Sequence, residues 1–438
     1  MALISIREYE KVYIGDDTSR PSVTHGQADL LTNLKPTYGF EVFKYVNSNT
    51  LSAQHYVGVF QLGSLTIEVL PKVDGDEQNV RRNLVAMLAV ALDLSISEGD
   101  AARVASQNHG ILEILIRLYC DKLFQQLHRG LVRRYEGREE NLSVLRGKLG
   151  IAEQVRLNAA NPERLFCRFD EFHEDNPLNQ VLKAAVRLLL KVSRDPRNQR
   201  QLAELLLVFE GVSDCTIQPL PWTRVFIDRL SERYKPCYRL AEIFLKNTPP
   251  DVTGGAMHGF SLFFDMNTLF EEYVGRMAVC VFGPLGYKVT LQSPQRYLAC
   301  DEANNRPVFA MLPDVVARLG TQIAWILDTK WKPLSVEKTK DGVVQADLYQ
   351  MYAYANCYDC PDVVLLYPHH EELGVDAGTR NTYLLNPWIG EAGKSRKRVR
   401  VATLDLSNLN TIPAQLNDIF RANHVVSGNI SGNRASSS

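Results

Sequence analysis

At 438 residues, with 45% hydrophobic and 23% charged residues, the chain has the composition of a folded protein and is longer than one ordinary core requires, which excludes a largely disordered chain. Its 49 Lys and Arg nearly balance 50 Asp and Glu, for a formal net charge of -1, so any nucleic-acid contact must come from local patches. There is no charged-then-apolar leader and no apolar run near the roughly 18 residues of a membrane helix, so the expectation is a cytoplasmic protein with no membrane partner.

Residues 1–110 are expected to be a strand-rich module. Tyr56-Val-Gly-Val-Phe60 and Leu65-Thr-Ile-Glu-Val-Leu70 are β-branched and aromatic runs, and Gly63-Ser64 between them suits a hairpin turn. From about 79 to 134 apolar residues recur at three and four, as in Leu112, Leu115, Ile116, Tyr119 and Leu123, the period of amphipathic helices. Further helices are predicted over 179–208 and 223–245, so residues 111–250 read as a mainly helical region. Pro and Gly cluster at 248–255, where we place a domain boundary.

Beyond it the predicted order is helix 265–282, strands 286–293, 295–301, 308–318 and 322–330, helix 345–357 and strand 362–367, an α/β pattern over a domain of residues 251–425. A tail rich in Ser, Gly and Asn over 426–438 is expected to be disordered. The eight cysteines are scattered without a disulfide framework. Cys357-Tyr-Asp-Cys360 is a lone CxxC followed by His369 and His370; with no second pair at zinc-ribbon spacing, reduced core thiols are the expectation.

The residues that suggest chemistry lie in two of these strands. Leu312-Pro-Asp-Val-Val316, a turn at Gly320, and Ile323-Ala-Trp-Ile-Leu-Asp-Thr-Lys330 read as a hairpin. The strand period of two puts Asp328 and Lys330 on one face, and Asp314 would meet them across the pair. Carboxylates beside apolar strand residues lose hydration unless a cation compensates. Mg2+, for which Mn2+ would substitute, suits two carboxylates and the Thr329 carbonyl. Lys330 would orient the attacking water and stabilise charge on the phosphorane. A D-x-K triplet alone is weak, since about one arises by chance in a chain of this length. Here it closes an apolar strand, follows a Pro-Asp one hairpin upstream, and is preceded by a helix bearing Glu271-Glu272. On the later helix Gln350 and Tyr354 share a face at i, i+4, fit either for holding a nucleic-acid backbone or the lysine, or for packing on the sheet.

Several blocks over about residues 55–367 resemble the McrC family, the nuclease subunits of McrBC-type modification-dependent (5-methylcytosine) restriction systems. They are Leu62-Gly-Ser-Leu-Thr-Ile-Glu-Val-Leu-Pro-Lys72, Arg129-Gly-Leu-Val-Arg-Arg-Tyr135 with Leu145-Arg-Gly-Lys148, Phe264-Asp-Met-Asn-Thr-Leu-Phe-Glu-Glu-Tyr-Val274, and then Pro313-Asp314, Asp328-Thr-Lys330 and Gln350 to Tyr354 in order. The last block is also like the Q-xxx-Y element of RecB-type nucleases. The resemblance implies an α/β C-terminal PD-(D/E)xK nuclease domain, of restriction-endonuclease-like fold, behind an N-terminal α+β adaptor region. It implies a catalytic set of Asp314, Asp328 and Lys330 with Glu271 as the motif glutamate, and Gln350 and Tyr354 in support. Asp314, Asp328, Thr329 and Glu271 would be the metal-site residues. It also implies two partners: double-stranded, modified DNA, and a ring-forming AAA+ GTPase of McrB type on which the N-terminal part docks. The chain has no G-xxxx-G-K-[S/T] loop, in keeping with a separate motor. Residues 1–50 and 374–400 lie outside the resemblance.

Two basic stretches remain. Arg129, Arg133, Arg134, Arg138, Arg146 and Lys148 would either contact phosphates or, with Glu136, Glu139 and Glu140 interspersed, form an ion-paired helix end. Residues 394–400 would be a backbone-binding loop or an exposed turn. No H-E-x-x-H or G-x-S-x-G is present, which disfavours zinc and serine hydrolases. The rival readings are a non-catalytic adaptor that regulates an AAA+ NTPase and a RecB-like repair nuclease.

Overall fold

The computed structural model describes residues 2–15, 20–34, 39–63, 65–94, 110–161, 163–215, 220–246, 259–336, 339–374, 376–386 and 396–421. The linker at 248–255 and the tail at 426–438 lie outside them. The chain divides into one unit of Met1–Asn108 with Phe263–Ser438 and a second of His109–Leu262. The expected modules 1–110 and 251–425 thus have most of their residues in one unit. A Pro/Gly cluster marks where regular structure stops, not which elements share a core.

In the first unit Ala2–Arg7 pairs parallel with Leu65–Leu70, which pairs antiparallel with Tyr56–Leu62. Gly63 takes φ 54° where this hairpin turns, a conformation glycine adopts without strain; Ser64 of the expected turn is outside the described residues. A second sheet orders Ser22–Val23, Lys11–Ile14, Thr50–Ala53 and Phe43–Asn47.

The largest sheet has six strands in the order Lys288–Leu291, Val315–Leu319, Gln322–Thr329, Asp362–Pro368, Arg398–Leu404 and Gly378–Leu384. Its centre is parallel, from Gln322–Thr329 through Asp362–Pro368 to Arg398–Leu404. The helix Gln345–Cys357 forms the crossover between the first two of these, burying Met351, Tyr354 and Ala355 against Val363, Leu365 and Val399. The helix Met266–Phe282 starts at Asp265, whose side chain caps it by accepting from Asn267 N at 2.8 Å.

The predicted strand 308–318 is instead two strands, Arg306–Met311 and Val315–Leu319. Pro313 between them has no amide hydrogen to give a ladder. Arg306–Met311 pairs with Arg296–Asp301 in a separate ribbon, and Asp314 is left at the mouth of the second strand. The 394–400 stretch is also corrected for its described part, because Arg398 and Arg400 lie in the strand Arg398–Leu404. The Arg400 guanidinium is buried and donates to Asp362 Oδ1 at 2.9 Å and Oδ2 at 2.6 Å, while Arg398 Nε reaches Oδ1 at 3.1 Å. A buried carboxylate consumes these charges, so they form neither an exposed turn nor a free phosphate-binding loop.

The second unit has the expected helices Ile111–Leu127, Pro177–Val192 and Pro196–Val208, the last two separated where Asp195 caps the new start. The helix predicted over 223–245 begins only at Lys235, after short 3-10 turns. This unit also contains a sheet absent from the sequence reading, in the order Arg134–Leu142, Leu165–His173, Lys148–Leu149. Of the basic residues expected at a helix end, Arg134, Arg138 and Lys148 are instead strand residues; Arg138 pairs with Glu171 across the ladder at 2.8 Å, and Arg146 reaches the same carboxylate at 3.3 Å.

Cys360 is a buried thiol whose pKa burial pushes up to about 12, and it donates to Asp362 O at 3.2 Å. His370 Nε2 meets the Leu334 carbonyl and His369 Nδ1 the Thr403 hydroxyl, so these three residues make hydrogen bonds within the fold.

Candidate active site

The strand Gln322–Thr329 runs from an exposed end at Gln322 to a buried end at Leu327, Asp328 and Thr329. Its inner residues are apolar enough to sit between two neighbours, and this puts the acidic end at the sheet's carboxyl edge. Val315 lies opposite Leu327 in the antiparallel pair, so Asp314 falls beside the Asp328–Thr329 step. On the other side Asp328 registers with Leu365, and Lys330 N donates to Leu366 O at 2.9 Å.

Asp314 meets the strand through Thr329: its Oδ2 accepts from Thr329 N at 2.7 Å and from Thr329 Oγ1 at 2.8 Å. Asp328 is 1% exposed. Its Oδ2 lies 2.5 Å from Lys330 Nζ as an ion pair, and its Oδ1 is 3.4 Å from Gln350 Nε2. Burial, then the charge of Asp314, pushes Asp328 up to about 7, with Lys330 pulling the other way. Asp314 is also raised by burial, against its two bonds from Thr329. Burial opposes the Lys330 charge, yet Asp328, Asp314 and Asp347 outweigh it and hold the ammonium above its ordinary range.

Gln350 Nε2 also donates to Tyr354 OH at 2.9 Å, and Tyr354 OH donates to Leu312 O at 3.1 Å. Both residues therefore face the acidic strand end. Glu271 borders the group: Gln292 Nε2 donates to its Oε1 at 2.6 Å, and burial followed by Asp314 raises its pKa. Glu272 instead faces Arg276 at 3.4 Å.

The structure thus brings together Asp314, Asp328, Lys330, Gln350 and Tyr354, with Glu271 at the margin. Sequence reasoning missed Gln292, which orients Glu271, and the Thr329 hydroxyl, which orients Asp314. It also missed Lys332 and Asp347, paired at 2.5 Å with Tyr367 OH donating to the same Asp347 oxygen at 3.2 Å. Spacing held a hint, since Lys332 lies two residues past Lys330 and Asp347 one helical turn before Gln350.

Among the described residues no group of three or more His, Cys, Asp and Glu side chains is gathered for a metal ion. The Lys330 ammonium lies against Asp328, and Thr329 holds Asp314. What fits a cation is narrower: two buried carboxylates, Asp314 raising the proton affinity of Asp328 by its charge.

Residues 51–368 match the family model of the McrBC 5-methylcytosine restriction system component. A comparison with curated proteins returned no match. Among solved structures, the chain is similar to one in the refined half-complex from the tetradecameric assembly of Thermococcus gammatolerans McrB AAA+ hexamers with bound McrC. That likeness has a TM-score of 0.69 at 22% identity and covers 95% of this chain and 100% of the other, a likeness of fold. A chain of the Thermococcus gammatolerans McrBC complex, determined by cryo-EM, is similar at a TM-score of 0.53 and 25% identity over 64% of this chain and 87% of its own. With the family model matched over most of its length, this mixed α/β chain belongs to the McrBC 5-methylcytosine restriction system component family.

Proposed function

We propose that the chain is the McrC-type endonuclease subunit of a modification-dependent restriction complex in the cytoplasm, hydrolysing DNA phosphodiesters at a PD-(D/E)xK site. The observation that carries this reading is the buried group at one strand end, Asp314, Asp328 and Lys330 with Gln350 beside it. A chain folding for stability alone would have no use for two carboxylates whose proton affinity burial raises, side by side in an apolar sheet.

Asp314 and Asp328 are the residues that would hold Mg2+ or Mn2+, and the ion when bound supplies a Lewis acid for the phosphate and a more acidic water. Thr329 fixes the Asp314 carboxylate by two bonds, so one oxygen direction is set before DNA arrives. Lys330 carries its charge beside both acids, where it orients the attacking water and stabilises negative charge on the phosphorane. Gln350, tied to Tyr354, steadies Asp328 from the helix side, and Glu271 supports the group from the opposite margin.

The partner is a ring-forming AAA+ GTPase of McrB type, as in the complexes to which this chain is similar. The missing nucleotide-binding loop requires GTP hydrolysis to come from another chain. Among the described residues no helix is long and apolar enough to cross a membrane. One observation favours a second reading, a non-catalytic adaptor: Lys330 closes onto Asp328, and among the described residues no three-acid set converges.

The test is Mg2+-dependent cleavage of closed circular DNA bearing 5-methylcytosine, by this chain with its partner GTPase and GTP, against the Asp328→Ala variant. Cleavage by the wild type alone is expected. Equal cleavage by both would move the active site elsewhere. Silence from both with GTPase stimulation intact would favour the adaptor, and a requirement for free DNA ends a repair nuclease.

A further inference from the structure

Glu8 is a buried carboxylate that the proposed chemistry does not use. It follows the strand Ala2–Arg7, is 1% exposed, and its Oε2 accepts from Lys72 N at 2.9 Å. Its two oxygens accept from Trp331 Nε1 at 3.0 and 3.1 Å. Trp331 directly follows Lys330, and its indole packs against Phe270 with ring centroids 5.3 Å apart and planes at 61°. Phe270 is fully buried on the helix Met266–Phe282, directly before Glu271. One carboxylate therefore clamps an indole lodged between the two segments that carry the candidate acids and lysine.

This arrangement is costly to fold. Burial first of all pushes Glu8 up to about 7, and its hydrogen-bond donors are the Lys72 amide and the Trp331 indole, with the Lys72 charge pulling the other way. An apolar side chain would fill the same space without that desolvation. Hydrogen bonds differ from apolar packing in having direction, and two oxygens on one N–H fix the indole plane. The indole plane in turn fixes where the chain leaves the strand, at the residues whose amides make the bonds Lys330 N to Leu366 O, 2.9 Å, and Lys332 N to Lys330 O, 3.0 Å.

We propose that Glu8 is a positioning residue for the candidate nuclease site: through Trp331 it sets the placement of Lys330 against Asp328 and Asp314. This rests on reading those three residues as the catalytic set. The residue that follows the N-terminal strand is then part of the active site's support, within the unit that joins residues 1–108 and 263–438.

Two measurements on the full chain test it. In steady-state cleavage of closed circular DNA bearing 5-methylcytosine with the partner GTPase, Glu8→Ala and Trp331→Phe should each lower kcat about 10-fold to 100-fold with KM for DNA unchanged. The double variant should lose no more than the worse single one, and Glu8→Gln, which keeps an acceptor, should recover part of the loss. In hydrogen exchange without DNA, amides at 330–332 should exchange about tenfold faster in Glu8→Ala, with protection in the strand Asp362–Pro368 kept. Wild-type kcat in both single variants, or losses that multiply in the double one, would overturn the proposal. So would unchanged exchange at 330–332, or protection lost throughout the sheet, which would mark Glu8 as a general folding residue. If wild type and Asp328→Ala cut equally, the nuclease reading has failed, and exchange at 330–332 still decides whether Glu8 holds that segment.

Discussion

Two charge-rich regions of the molecule follow opposite rules. In the ladder of Arg134–Leu142 with Leu165–His173, Arg168 reaches Glu139 and Glu153 at 2.8 Å each with its side chain 49% exposed, and every acid has water as an alternative. At the end of Gln322–Thr329, Asp328 is 2% exposed at its side chain and shares a small space with Asp314, Asp347 and one closely paired lysine. The ladder has more charges and little stored conflict; the strand end has fewer and cannot satisfy them all. Burial without full matching, rather than charge density, distinguishes the candidate site from a solvated surface.

The contrast predicts separate effects on activity and stability, of decreasing size. Lys330→Met removes the counter-charge of two buried acids and should lower kcat for DNA cleavage on the order of 10²–10³-fold, as read by plasmid linearisation. Arg400→Met breaks a pair in which both side chains are 4% exposed, and should destabilise the protein by about 3–5 kcal/mol in denaturant unfolding while kcat of the folded fraction holds. Gln350→Ala removes the long contact to Asp328 and the bond to Tyr354 OH, and should cost roughly tenfold in kcat with stability lowered by no more than about 1 kcal/mol. Arg168→Ala should change stability by no more than about 1 kcal/mol and leave cleavage alone, since exposed pairs contribute little. A large Arg168 effect on cleavage with DNA affinity reduced would turn the ladder into a phosphate-binding surface and break the comparison.

How much of this was legible in the sequence depended on apolar patterning. Asp328 and Lys330 were found because an apolar run leads into them, and the predicted helix 345–357 matches Gln345–Cys357. Arg134–Leu142 was missed because its residues are exposed or half-buried on both faces, so no period of two appears. Arg398 and Arg400 were read as surface charges because their common partner, Asp362, comes from a strand 36 and 38 residues away. For the same reason Glu8, 323 residues from Trp331, gave no local signal at all. That residues 1–108 and 263–438 fall in one unit gave no local signal either, since shared cores are long-range facts and linkers are local ones.

The most direct test of the central claim compares Asp328→Asn with the wild type in thermal unfolding and in Mg2+-dependent cleavage. Burial and then the Asp314 charge push the folded Asp328 carboxyl from its ordinary 3.8 up to about 7, so between those values the folded state keeps a proton that the unfolded chain has lost. The stability this lends is complete below the lower value and disappears as pH rises through the higher one. Lys330, Asp314 and Asp347 face the position in both proteins. From about pH 5 to about pH 8 the wild-type Tm should therefore fall further than that of the variant, which should be at least as stable at the upper end yet cut DNA 10²–10³-fold more slowly. A variant that cuts like the wild type, or one that loses stability at about pH 8, would contradict the account and leave Asp328 a structural carboxylate.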